Sequence, residues 1–113
     1  MIQFTSAVAV HPVSQLPAAL AWYSALLGRE PDVVPADDTV EWEIAPNAWL
    51  HVSTSDRPGS ASTILGVPSL DDALTHCAAA GLAVGEVEDY GVVRMVTLLD
   101  PDGNQVLLAQ EVE

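Results

Sequence analysis

"VTLLDPDGNQVLLAQ", residues 96–110, sets two apolar runs around Asp-Pro-Asp-Gly-Asn. Short aliphatic and β-branched runs read as strands, and a cluster of Pro, Asp and Gly between them reads as a tight turn. If Asp100 meets Asn104 across a three-residue turn, Thr97 faces Leu107 and Met95 faces Ala109. Alternation then puts Met95, Thr97, Gln105, Leu107 and Ala109 on one face of the hairpin.

Upstream of this hairpin the chain repeats itself. "VSQLPAALAWYSALLG" starts at Val13 and "VPSLDDALTHCAAAG" at Val67, so 67 minus 13 gives an offset of 54. Val13 meets Val67, Leu16 meets Leu70, Ala19 meets Ala73 and Leu20 meets Leu74. Leu16, Leu20, Tyr23 and Leu27 recur at helical spacing, as do Leu70, Leu74 and Cys77. Ser69 with Asp72 three residues on suggests a capping box, with Asp in place of Glu. Pro17 falls in a first turn, where its missing N–H costs little. Gly28 and Gly81 suit left-handed C-terminal caps.

Strands are expected around each helix. "IQFTSAVAV" precedes the first, and "DVV", "VEWEI" and "WLHVST" follow it, with Pro46-Asn47 as a turn. "ASTILGV" precedes the second, and "LAVGEV", "VVRMVTLL" and "QVLLAQ" follow it. The order is βαβββ twice, an α+β fold in one domain. The first module spans 1–54, a linker 55–60 lies within the polar stretch "TSDRPGSAS", and the second module spans 61–113.

Composition excludes several function classes. The chain has 113 residues, half of them hydrophobic, which suffices for one domain with a real core. Sixteen Asp and Glu stand against three Arg and no Lys, for a net charge of −13. Phosphate backbones and anionic membrane surfaces are repelled by such a charge, so neither nucleic acid nor membrane is an expected partner. A cationic ligand would be attracted; the simpler reading is a soluble, self-repelling surface. No apolar run reaches the ~20 residues of a membrane helix. The N-terminal stretch lacks the basic region of a signal peptide, and a cytoplasmic location is expected. Cys77 has no second cysteine to pair with; on the apolar stripe of its helix it should be buried and inert.

A duplicated βαβββ with "AWYSALLG" in the first helix and "DPDGN" in the last hairpin resembles the vicinal oxygen chelate superfamily. That superfamily includes glyoxalase I, extradiol dioxygenases, and the fosfomycin- and bleomycin-resistance proteins. The resemblance covers the whole chain. It implies a mixed sheet curled into a cup with helices outside, and a homodimer, as is usual for short members. The metalloenzymes of the superfamily place a ligand on four strands. Carried onto this chain, those places are Val8, five residues before Val13; Ser62, five before Val67; His51, four after the Pro46-Asn47 turn; and Leu107, four after Gly103. A first-row metal needs about three protein donors. Val, Ser and Leu do not provide them, so no metal and no other cofactor is expected.

The remaining candidates form a small-molecule site. Trp49, His51 and Ser53 share a face of one hairpin, and Met95, Thr97, Gln105 and Leu107 share a face of the other. Apolar walls with a few polar groups are the usual composition of such sites. Trp42 lies between Glu41 and Glu43, with the ring on one face and both carboxylates on the other. It reads as a packed tryptophan beside a solvated face, or as an aromatic wall with acidic groups for a cation. His11 reads as a loop residue and His76 as a surface or interface residue of the second helix. The expected function is metal-independent binding or sequestering of a small organic molecule, cationic or aromatic, after the manner of the bleomycin-resistance proteins. The alternatives are a lyase, isomerase or dioxygenase with an atypical site, and a regulatory module whose cup is filled by side chains.

Overall fold

A computed structural model describes residues 1–112; Glu113, the last residue of the expected second module, lies outside the described residues. The elements run β1 (Ala7–Val13), α1 (Leu16–Leu27), β2 (Val33–Ala36), β3 (Thr39–Ala45), β4 (Ala48–Thr54), β5 (Ser62–Gly66), α2 (Leu70–Ala79), β6 (Glu88–Asp89), β7 (Val93–Leu99) and β8 (Gln105–Glu111). Two four-stranded mixed sheets result, ordered β1-β4-β3-β2 and β5-β8-β7-β6. In each, the strand before the helix pairs parallel with the last strand, and the other pairings are antiparallel. This is the expected α+β duplication of βαβββ. No helix among the described residues is long and apolar enough to cross a membrane.

The last hairpin has the register expected from its turn: Thr97 opposite Leu107 and Met95 opposite Ala109, with the Asp100 N–H donating to the Asn104 carbonyl at 2.9 Å. Both helices end as their glycines require. Gly28 is left-handed and its N–H donates to the Ser24 carbonyl. Gly81 follows the cap residue Ala80, with Gly81 N–H on Ala78 and Leu82 N–H on Cys77, the paired bonds of a Schellman motif. The Ser69 side chain accepts from the Asp72 N–H at 3.1 Å, so one half of the capping box forms. Pro17 sits in the first turn of α1.

Side chains alternate across both sheets, save where Thr39 and Val40, and Leu108 and Ala109, are buried in succession. Val13, Val40, Trp42, Leu50 and Val52 of the first sheet turn toward the helices and are buried, as are Val96, Leu98, Val106 and Leu108 of the second. They join Tyr23, Leu26, Leu70 and Cys77 in one core. Each large apolar side chain so buried contributes about 1.5–3 kcal/mol.

Three expectations are corrected. The first strand begins at Ala7, not Ile2; Ile2 and Phe4 are exposed and outside any sheet. The segment "LAVGEV" is not a strand. Only the Gly85 N–H reaches the edge of β7, on the Thr97 carbonyl, and the sixth strand is the two residues Glu88–Asp89. A glycine without a side chain to pack weakens a strand at that place. His11 is not a loop residue but a fully buried member of β1. Pro12 does not end the strand, since proline is tolerated in a strand at a sheet edge, which β1 is.

Candidate functional site

The face of the first sheet turned away from the helices collects aromatic and acidic groups. A β-bulge between Glu43 and Ala45 makes this possible. Counted simply back from the Pro46-Asn47 turn, Ile44 would oppose Trp49. The bulge absorbs one residue, so Glu43 opposes Trp49 and Glu41 opposes His51. All four side chains then share one face, with Val8 and Val10 of β1 beside Trp49 and His51. Asp32 and Arg29 pin the bulge: the Asp32 carboxylate accepts the Glu43 N–H at 2.7 Å and Arg29 donates to the Glu43 carbonyl at 2.6 Å. Arg29 is also ion-paired to Asp32, which holds the Asp32 carboxyl below the usual carboxylate range.

His51 Nδ1 lies 2.7 Å from the Glu41 carboxylate, and both side chains are about a quarter exposed (26% and 23%). Nδ1 therefore carries a proton for that bond, and Nε2 is the nitrogen left for a ligand. Glu43 accepts the Asn47 N–H. Trp49 and Ser53 are half-buried. Trp42 is fully buried on the opposite face, its indole N–H donating to the Arg29 carbonyl. The packed reading of Trp42 is thus the correct one, and Trp49 is the aromatic residue that stands with the two carboxylates.

The second group behaves differently. Met95, Thr97 and Leu107 are half-buried and Gln105 is exposed on the corresponding face of the second sheet. Thr97 and Gln105, with Leu99, Ala83, Val84 and Gly85, line a cavity of about 450 Å³. Trp49, His51 and Ser53 are not part of it. The two groups lie on separate sheets.

The residues at the superfamily's metal places do not fit a metal. Val8 adjoins Trp49 in the ladder, Ser62 adjoins Gln105, and Leu107 lies between Ile64 and Thr97. His51 and its neighbour Glu41 are two donors where about three are needed. Among the described residues no group of three or more His, Cys, Asp or Glu is arranged for a metal ion.

A second polar constellation lies on the helix side. His11 Nδ1 is 2.7 Å from the Tyr23 hydroxyl and Nε2 is 2.6 Å from the Thr63 hydroxyl. Tyr23 donates to Asp100 at 2.8 Å. Asp100 also accepts the N–H groups of Asp102 and Asn104 and the Asn104 side-chain amide. Asn104 in turn donates to the Pro12 carbonyl and accepts the Ala61 N–H. Asp102 takes both the N–H and the hydroxyl of Ser14. Gly59 comes so close to this turn that a Cβ would sit 2.3 Å from the Asp102 carbonyl oxygen, and its φ of +83° suits glycine alone.

Hydroxyl, imidazole, phenol and carboxylate in a row resemble a catalytic relay, but His11, Asn104 and Tyr23 are fully buried and Asp100 nearly so. Burial holds the His11 imidazole below its ordinary pKa, opposed in part by Asp100. It raises that of the Tyr23 hydroxyl, with the Asp100 hydrogen bond adding to the effect. The network fastens β1 and α1 of the first half to β5 and the last turn of the second. The "DPDGN" turn is its centre. His76 bridges the helices, its Nε2 donating to the Ala25 carbonyl at 2.9 Å. Cys77 is buried and its thiol pKa is pushed up by desolvation.

Comparison with known proteins bears on this arrangement. No protein-family profile matches the chain, and no curated protein matches it. Among solved structures, a glyoxalase/bleomycin resistance protein from Catenulispora acidiphila shares 32% identity over 96% of this chain and 100% of its own, with a TM-score of 0.91. The bleomycin-binding protein from the bleomycin-producing Streptomyces verticillus, solved with copper(II)-bleomycin, shares 24% identity over the full length of both chains, with a TM-score of 0.80. An antibiotic binding protein from a Streptomyces species shares 21% identity over 99% of both chains, with a TM-score of 0.83. The latter two show the same fold, and the first, at its higher identity and full coverage, shows the family. The chain belongs to the glyoxalase/bleomycin resistance proteins of the vicinal oxygen chelate superfamily.

Proposed function

We propose that the protein binds a small organic cation, on the face formed by Trp49, His51, Glu41 and Glu43, without a metal of its own. The observation that carries this reading is the bulge-set register that puts one half-buried indole and two carboxylates side by side. A cation over an indole gains about 0.5–2 kcal/mol, and two carboxylates in partly desolvated surroundings add to it. Arg29, the basic side chain at this bulge, is engaged by Asp32 and does not cancel them. Ser53 extends the polar edge. Met95, Thr97, Gln105 and Leu107 belong to the separate face of the second sheet and are not needed for this contact. The names of two structural relatives, one bleomycin-binding and one antibiotic-binding, support a small organic molecule as the ligand.

We also read the protein as a homodimer. β1 and β5 are sheet edges that expose Val8, Val10 and Ile64 (50%, 55% and 60%). Unpaired strand edges with apolar side chains favour a partner that covers them. Because the net charge of −13 opposes association, the interface should be apolar and persist in high salt. Sedimentation at micromolar concentration tests this, and a monomer in both low and high salt contradicts it.

The test of the ligand class is a thermal-shift series with matched compounds: an aromatic quaternary ammonium, its uncharged isostere and its carboxylate analogue. Stabilisation by the cation alone, lost on Glu41→Gln with Glu43→Gln, supports the reading. Equal shifts from all three overturn it.

A further inference from the structure

The fastening network has a counterpart across the internal repeat, and that counterpart is open. His11, beside Val52 in the first sheet, stands where Leu65, beside Leu108, stands in the second. The offset of 54 relates Tyr23 to Cys77. The hairpin registers relate Trp42 to Leu98, and hence Ile44 to Asp100 and Ala48 to Asn104. At one end of the repeat, then, an imidazole, a phenol, a carboxylate and a carboxamide pack together. At the other end Leu65, Cys77, Ile44 and Ala48 stand in their places. All four line a cavity of about 440 Å³ between the ends of the helices, the β3–β4 hairpin and β5.

We propose that this cavity is a second binding site, for a small uncharged aromatic molecule of one or two rings. Its volume is in the range of small-molecule pockets. No Lys, Arg, Asp or Glu contributes to its wall, and the net charge of −13 disfavours an anion. An ion of either sign would lose its hydration there without a partner. The size and shape of the occupant follow from the filled counterpart, where the space is taken chiefly by two rings, those of His11 and Tyr23. His76 is the one polar ring in the wall. Its Nε2 is used on the Ala25 carbonyl, so the neutral ring keeps a lone pair on Nδ1 for a hydroxyl or N–H of the ligand.

The sequence supplies its own reporters. The chain has isoleucine only at positions 2, 44 and 64. Ile44 and Ile64 line the cavity, and Ile2 lies exposed in the N-terminal segment. The test adds the uncharged two-ring dye 6-propionyl-2-(dimethylamino)naphthalene to protein labelled at the isoleucine δ1 methyls. The expected result is enhanced dye fluorescence, with the Ile44 and Ile64 methyl resonances shifting and Ile2 unmoved. Ala73→Leu and Ala48→Leu, which fill the cavity, should each weaken dye binding by about ten-fold, or 1.4 kcal/mol. Three results overturn the proposal: no dye binding by wild type, shifts confined to Ile2, or filled variants that fold and bind as tightly as wild type. A fourth is tighter binding on Phe4→Ser. That would mean the cavity belongs to the chain's own N-terminal segment or to that of a second copy.

Discussion

In the first half of the chain, β3 and β4 set Glu43 against Trp49 and Glu41 against His51. At the same places in the second half, Leu99 stands against Gln105 and Thr97 against Leu107. The helix-facing sides are divided the other way, with His11, Tyr23, Asp100 and Asn104 answering to Leu65, Cys77, Ile44 and Ala48. One backbone plan thus carries charge on its open face in one half, and a fastening network beneath its last turn in the other. The "DPDGN" turn thus serves the joint between the halves. Leu107 stands four residues beyond Gly103, where the resemblance implies a metal ligand, while the turn itself is bonded to Pro12, Ser14 and Tyr23.

The largest effect should come from the centre of that network. Asp100→Ala removes the acceptor of four hydrogen bonds and strands buried donors. A loss of about 3–5 kcal/mol is expected, a large part of the ~5–15 kcal/mol that holds a domain together. Ile44→Ala, at the equivalent place beside the cavity, should cost about 1–2 kcal/mol, because a half-exposed side chain leaves little new void. Equal losses in urea melts would erase the contrast between the two ends. Tyr23→Phe should cost about 1–3 kcal/mol, since it breaks the link from His11 to Asp100 inside the core. Its counterpart Cys77→Ala removes only a thiol at the cavity wall, and about 1 kcal/mol or less is expected.

His11 gives a distinctive effect, in the pH dependence of stability. Its pKa is lowered in the folded state from 6.5, so the unfolded chain binds more protons as pH falls through that value. The stability it contributes is therefore present above about pH 6.5 and is lost as pH falls toward the lowered folded value. Each unit of lowering corresponds to about 1.4 kcal/mol. His11→Leu, which copies Leu65, should be less stable at pH 7.5 and show a shallower decline between pH 7 and 5 than wild type. An unchanged slope would mean that another group carries the acid sensitivity.

Much of the fold could be read from local patterns. The hairpin at 96–110 declares its register because turn residues and alternation agree, and the repeat offset of 54 places the helices. What escaped needed information that lies across the chain. His11 finds Thr63 and Asn104 finds Pro12 at separations of 52 and 92 residues, and no local pattern announces either. The short sixth strand escaped because Val84 and Val87 look like strand residues although they remain exposed. At the site, alternation along β4 grouped Trp49, His51 and Ser53, but the pair Glu41–His51 was out of reach. It depends on a one-residue bulge, and a one-residue slip turns every side chain to the other face. In the run Glu41-Trp42-Glu43 alternation separates the packed ring of Trp42 from the two carboxylates; the aromatic residue that shares their face, Trp49, lies across the strand and is not announced by the run.

The functional claim rests on the first half's open face, and one measurement tests it most directly. Calorimetric titration with benzyltrimethylammonium should be run on wild type, Trp49→Ala, the double variant Glu41→Gln/Glu43→Gln, and Leu99→Ala in the second half. Trp49→Ala and the double variant should each weaken binding by about ten-fold, as the loss of a cation–π contact or of its flanking charges implies. Leu99→Ala, at the counterpart of Glu43, should leave the affinity within about two-fold. Binding that survives both first-half changes, or falls as far with Leu99→Ala, would contradict that claim.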